Sequence, residues 1–183
     1  MANEVLLKTG TAIVLADSAD HSPTAANSLG TRTDQIDLTS LAAGVARQSA
    51  KVDFGATRAR RYSVVLAVEF ATAPAAGETL DIYIGYSPSG TAGTGNPAKL
   101  TGADAAYSGY SSNLDDSLKQ LDYIGSLVAT IQATTTVQIA LIGTISPSQR
   151  YGMIVVDNST SDALFTDADE MSILISPIVD EVQ

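Results

Sequence analysis

Chemistry in this chain would have to be built from few reactive side chains. There is one histidine and no cysteine. His21 stands beside Ser22 and Pro23, and a Ser-His-Asp relay or a zinc site would have to be assembled around it alone. Zinc centres with three protein ligands draw on more His or Cys than this sequence owns. His21 therefore reads as an exposed loop side chain. The absence of cysteine removes disulfides, thiolate metal sites, cysteine nucleophiles and iron–sulfur clusters together.

Three further clusters are candidates for ligand chemistry. The run Gly90-Thr91-Ala92-Gly93-Thr94-Gly95-Asn96 is glycine-rich, but a phosphate-binding loop needs Lys then Ser or Thr directly after its last glycine. Asn96-Pro97 breaks that pattern, so a flexible loop is expected. Asp167, Asp169 and Glu170 place three carboxylates within a short span before the last apolar run, and could ligate Ca²⁺ if backbone carbonyls completed the shell. The EF-hand spacing and its glycine are missing, which favours an exposed acidic turn. Paired carboxylates for glycoside hydrolysis remain open among 20 Asp and Glu, while the lack of Trp lowers sugar stacking. No cofactor is expected, and Asn158-Ser159-Thr160 is a glycosylation sequon without an evident secretory leader before it.

Arg47, Lys51, Arg58, Arg60 and Arg61 form the basic concentration of the sequence. An arginine fork at a strand start can grip carboxylates on a partner protein. Charge placed on an edge strand to block aggregation fits equally well. Both readings stand.

The elements that must position these residues read as strands. Val5-Leu6-Leu7 and Ala12-Ile13-Val14-Leu15 are short apolar runs, and Asp17 to Thr33 reads as a polar surface loop. Leu38, Leu41 and Val45 behind Asp37 suggest one short helix near Ser40. Ala50 to Phe54 alternates as a half-buried strand, and Arg60 to Thr72 puts Tyr62, Val64, Leu66, Val68 and Phe70 on one side. Leu80 to Tyr86 follows a turn at Ala73–Gly77, which predicts an antiparallel hairpin. Pro88 to Gly109 is poor in apolar residues and reads as an excursion over the surface, outside the core. Asp115 to Leu121 suggests a helical turn. Strands are then expected at Tyr123–Ile131, Thr135–Ile145, Tyr151–Asp157 and Met171–Val179, with Pro177 opposing any continuation inside a sheet.

About eight short strands with turn signals between them predict an all-β fold, a jelly roll or two-sheet β-sandwich with long polar loops. The 183 residues fit a single domain, 1–183, in which residues 1–45 are also readable as an extended arm. A net charge of -10 opposes nonspecific binding to nucleic acid. Residues 151–183 carry seven acidic and no basic side chains, an acidic end that reads as a solubilising charge excess or as a pole suited to head-to-tail or docked assembly. No stretch approaches the ~18 apolar residues of a membrane span, and Met1 to Thr9 lacks a signal-peptide pattern, so a chain made in the cytoplasm with no membrane partner is expected.

The run Ala46-Arg47-Gln48-Ser49-Ala50-Lys51-Val52-Asp53-Phe54-Gly55-Ala56-Thr57-Arg58-Ala59-Arg60-Arg61-Tyr62 resembles small structural proteins encoded in the head gene region of tailed bacteriophages. Ser117 to Gly125, Arg150-Tyr151-Gly152 and Pro177 to Asp180 extend that resemblance. It implies a capsid decoration, or cement, protein: a jelly roll or β-sandwich that trimerises on the capsid exterior and bridges subunits of the major capsid protein. No catalytic residue is implied. The expected role is thus a non-enzymatic virion structural protein. The competing expectation is a phage fibre or host-recognition module that grips surface glycan through loop residues such as Tyr107 or Tyr110.

Overall fold

The computed structural model describes residues 10–132 and 136–178. Within them the elements run β1 (Ile13–Ala16), β2 (Asp34–Gln35), β3 (Val45–Gln48), β4 (Val52–Asp53), β5 (Arg61–Val68), β6 (Thr79–Ser87), β7 (Ala105–Tyr107), α1 (Leu114–Leu118), β8 (Asp122–Val128), β9 (Gln138–Ile145), β10 (Tyr151–Asn158) and β11 (Ser172–Ile178). The Val5-Leu6-Leu7 run lies outside the described residues.

Period-two alternation builds two packed sheets. The first has the order β2-β1-β11-β5-β9, and the second β7-β3-β10-β6-β8 with β4 also paired to β10. Tyr62, Val64, Leu66 and Val68 of β5 meet Leu80, Ile82 and Ile84 of β6 and Ile154 and Val156 of β10 in the shared core. The all-β sandwich expected from the sequence is the observed architecture. The expected β5–β6 hairpin is not. β5 pairs with β11 and β9, whereas β6 pairs with β10 and β8, so the Ala73–Gly77 turn carries the chain from one sheet to the other. Both strands alternate cleanly, and alternation does not distinguish a hairpin from two strands facing across a core.

Other expectations shift in detail. No helix forms near Ser40. Asp37 Oδ1 accepts from the Thr39 amide, and Ser40 takes a positive φ of 53°, which closes a turn and ends any helical path. Leu38 and Leu41 still reach the core. Of the expected Ala50–Phe54 strand only β4 forms, and β3 precedes it over Val45–Gln48; both pair with β10, and between them the Ser49 hydroxyl accepts from the Ile154 amide at 2.9 Å and substitutes for a ladder bond. Pro177 remains inside β11, opposite Tyr62 of β5. It lies beyond Ile175, where the described pairing with β1 ends, so its missing N–H breaks no described bond. The described part of residues 1–45 is woven into the first sheet through β1 and β2, with Ile36 and Leu38 buried.

The largest departure is the excursion after β6. Ala98, Leu100 and Tyr107 are buried, and with Leu118 and Leu121 they pack on Met153 and Val155. These are the outward side chains of β10, so residues 97–104 and 108–121 form a third layer over the second sheet, while β7 between them joins that sheet's edge beside β3. Tyr107 donates its hydroxyl to the Ala98 carbonyl at 2.8 Å and is a core residue, not a loop contact for glycan. Gly, Ala and Ser dilute the apolar signal here, which is why composition alone reads as surface. The helical turn expected from Asp115 is present as α1, capped by Asn113, whose side chain accepts from the Asp116 amide at 3.2 Å.

At one side of the sandwich the two edge strands bulge toward each other. β8 slips register against β6 between Ile82 and Tyr83, leaving Ile124 as the extra residue, and β9 slips against β5 between Val64 and Val65, leaving Ile142. The bulged Ile142 carbonyl abuts Gly125, and the bulged Ile124 carbonyl abuts Gly143. Two glycines let the backbones meet and draw that side of the sandwich shut.

Candidate functional site

The five basic residues do not make one site. Arg47 on β3 donates from Nε to Asp104 at 2.6 Å and lies 3.5 Å from Asp37, so it ties the third layer to the turn after β2. Arg58 reaches the Pro147 carbonyl at 3.5 Å and, with Arg60, lines a shallow pocket of about 320 Å³ beside Ser146. Arg61 opens β5 opposite Ile178, exposed at the far end of the first sheet.

Lys51 has an internal task. Its ammonium donates to the Ser87 hydroxyl at 3.1 Å and to the carbonyls of Ser89, Thr91 and Thr94 at 2.8, 2.9 and 3.2 Å. The glycine-rich loop thus wraps a cation. A phosphate-binding loop turns N–H groups inward, whereas this one turns C=O groups inward, the opposite polarity. Burial pushes the Lys51 ammonium below its ordinary range.

His21 and the acidic trio are also structural. His21 is half-buried, not exposed, and donates from Nε2 to the Gly30 carbonyl at 2.9 Å, bracing the Asp17–Thr33 loop. Glu170 accepts from the Asn27 amide at 3.0 Å and from its side chain at 3.1 Å, while Asp167 accepts from the Asp169 amide at 3.0 Å. Among the described residues no group of three or more His, Asp or Glu is arranged to hold a metal ion. Asn158 of the sequon is fully buried. Its amide donates to the Leu41 and Asp162 carbonyls at 3.0 and 2.9 Å, and its oxygen accepts from Thr160.

A concave feature lies elsewhere, on the outer face of the second sheet. β6 and β10 form its floor with β8, and α1 forms one wall, enclosing a cleft of about 670 Å³. Register places Asp81 directly opposite Asp157, and Tyr83 opposite both Val155 and Tyr123. Tyr83 and Tyr123 have ring centroids 5.3 Å apart with planes tilted by 56°. The Ser126 hydroxyl bridges Tyr123 and Asp81 by hydrogen bonds. Asp115 and Lys119 border the cleft from α1. Asp157 is only 9% exposed, and burial, then the neighbouring Asp81 and Asp115 carboxylates, hold its carboxyl above the usual range. Sequence reading missed this constellation because its residues are far apart in the chain and meet only through strand register.

A second surface feature was open to sequence reading and missed. From Tyr123 to Gln149 there is no Asp, Glu, Lys or Arg. That stretch supplies most of β8 and all of β9, the adjoining edge strands of both sheets. Val128, Ile131, Ile139 and Leu141 are exposed there, Leu141 at 67%. Across the outer face of the first sheet, Leu141 continues in register through Val65 and Leu174 to Val14, an apolar row.

A scan of protein-family models finds no match to the chain, and a search of curated protein sequences finds none either.

Proposed function

We propose that the chain is a non-enzymatic virion structural protein that docks on the outer surface of a capsid and stabilises the shell by bridging subunits. The observation that carries this reading is the uncharged apolar edge formed by β8 and β9. Edge strands of a soluble sandwich are ordinarily guarded by charge. Here Val128, Ile139 and Leu141 stand exposed with no charged residue between Tyr123 and Gln149. Two copies that each carry a net charge of -10 repel over most of their surface, and this seam is where they can approach without that cost. The reading therefore includes a homo-oligomer, with a trimer expected, built through the seam. Binding only to the assembled lattice would then stabilise the shell by mass action.

Light scattering on the purified protein, followed by co-sedimentation with mature capsids, tests both halves. Oligomers that bind capsids stoichiometrically, with Leu141→Glu dispersing them to monomers, are the expected result. A monomer that ignores capsids overturns the reading.

The alternative, a fibre or host-recognition module that grips glycan, draws on the Tyr83–Tyr123 pair and the carboxylates beside it. Glycan-array binding abolished by Tyr123→Ala would favour it over capsid docking.

A further inference from the structure

The cleft on the outer face of the second sheet is electrically incomplete. Asp81 and Asp157 are direct cross-strand neighbours, an arrangement that costs stability when both are ionised. Asp115 adds a third carboxylate from α1. The cleft's one cation is already engaged, since Lys119 pairs with Asp116 at 3.0 Å and is largely exposed. Asp157 is nine-tenths buried, and Ser159 donates to its Oδ2 at 3.1 Å. Its Oδ1 accepts no hydrogen bond from the described residues. This carboxylate lines a cleft with an aromatic wall.

We propose that this cleft receives the cationic side chain of a basic protein segment, an arginine in preference to lysine. The carboxylates of Asp81 and Asp157 offer acceptors to a planar guanidinium, and the Tyr83 and Tyr123 rings offer faces on which it stacks. Tyr123 is held in place through Ser126, so the wall is formed before the ligand arrives. The lining favours a cation over a sugar. Sugar hydroxyls need donors as well as acceptors around them, and the donors Lys119 and Ser159 are already engaged with Asp116 and Asp157, which leaves the three carboxylates as the uncompensated charges of the lining. At about 670 Å³ the cleft exceeds one side chain and leaves room for the flanking peptide. The inference does not depend on capsid docking, because it rests on the carboxylates and rings of the cleft and not on the exposed apolar side chains of β8 and β9.

The test is fluorescence anisotropy with a fluorescein-labelled Gly-Arg-Gly-Arg-Gly peptide and the full chain. Binding is expected, and Asp157→Asn and Asp81→Asn are each expected to weaken it tenfold or more, with Tyr123→Ala costing several-fold. Asp20→Asn removes the same unit of charge outside the cleft and is expected to change affinity less than twofold. Circular dichroism of each variant confirms that it folds. Absence of binding overturns the proposal, as does equal weakening by Asp20→Asn, which signals attraction to overall charge. Tighter binding of free spermidine overturns the assignment to a protein segment, and variant-sensitive binding of a neutral oligosaccharide in place of the peptide overturns the cation assignment.

Discussion

The carbonyl oxygen of Ile142 occupies the space that a Cβ on Gly125 would need. The relationship is reciprocated one strand over, where the Ile124 carbonyl lies 2.6 Å from the position of a Cβ on Gly143. Gly125 also has φ +156°, a region L-residues avoid. Gly125→Ala is therefore expected to lose about 2–4 kcal/mol, read by urea denaturation, because the obstacle is backbone and cannot swing aside. Combining it with Gly143→Ala should cost less than the two losses added, since both open the same crossing.

Lys51→Met keeps the aliphatic stem and removes the charge. The inward-facing carbonyls of Ser89, Thr91 and Thr94 then face no donor. A loss of about 1–3 kcal/mol is expected, of the size found for hydrogen bonds to charged groups. Limited proteolysis should cut first between residues 88 and 96, while the wild-type loop resists.

Asn158→Asp tests a buried polar hub with almost no change in shape. The new carboxylate would confront the Leu41 and Asp162 carbonyls that now receive the amide protons. Destabilisation of about 3 kcal/mol or more is expected, measured by chemical denaturation. Expression in a glycosylating host should leave this position unmodified in folded protein, since its amide is enclosed.

The pH dependence follows from three carboxyls held above their ordinary range. Burial is the main cause for Asp34, Glu69 and Asp157, helped by Asp53 for the first, by Glu170 and Asp167 for the second, and by Asp81 and Asp115 for the third. Each binds its proton more tightly folded than unfolded, so their ionisation weakens the fold as pH rises. Tm is expected to climb as pH falls from 7 toward about 4.5. Below that the trend reverses. Asp53 is held low chiefly by its bond from Arg150, and its contribution is lost as pH falls through that depressed value. Asp157→Asn should raise Tm at pH 7 and flatten the acid-side gain, and a lower Tm at pH 7 would contradict the burial argument.

Alternation made β5, β6 and β11 readable, since Tyr62, Val64 and Leu66, then Leu80, Ile82 and Ile84, then Ile173 and Ile175 all face the core. Sheet membership was not readable, because facing a core does not say which partner lies alongside. The cleft was hidden for the same reason: the opposition of Asp81 to Asp157 is set by β6–β10 register, a long-range property. Residues 88–109 misled through composition, for a few buried positions such as Leu100 and Tyr107 suffice to anchor a layer that otherwise reads as polar. The uncharged run from Tyr123 to Gln149, on which the proposed docking rests, was by contrast printed in the sequence itself.

That run has a consequence for ionic strength. A contact made there holds no opposite charges for dissolved ions to screen, whereas the repulsion between two acidic molecules approaching it weakens as the Debye length shortens. Added sodium chloride should then promote self-association through β8 and β9 while loosening any guanidinium held by Asp157. One titration would move the two equilibria in opposite directions and tell them apart without a single substitution.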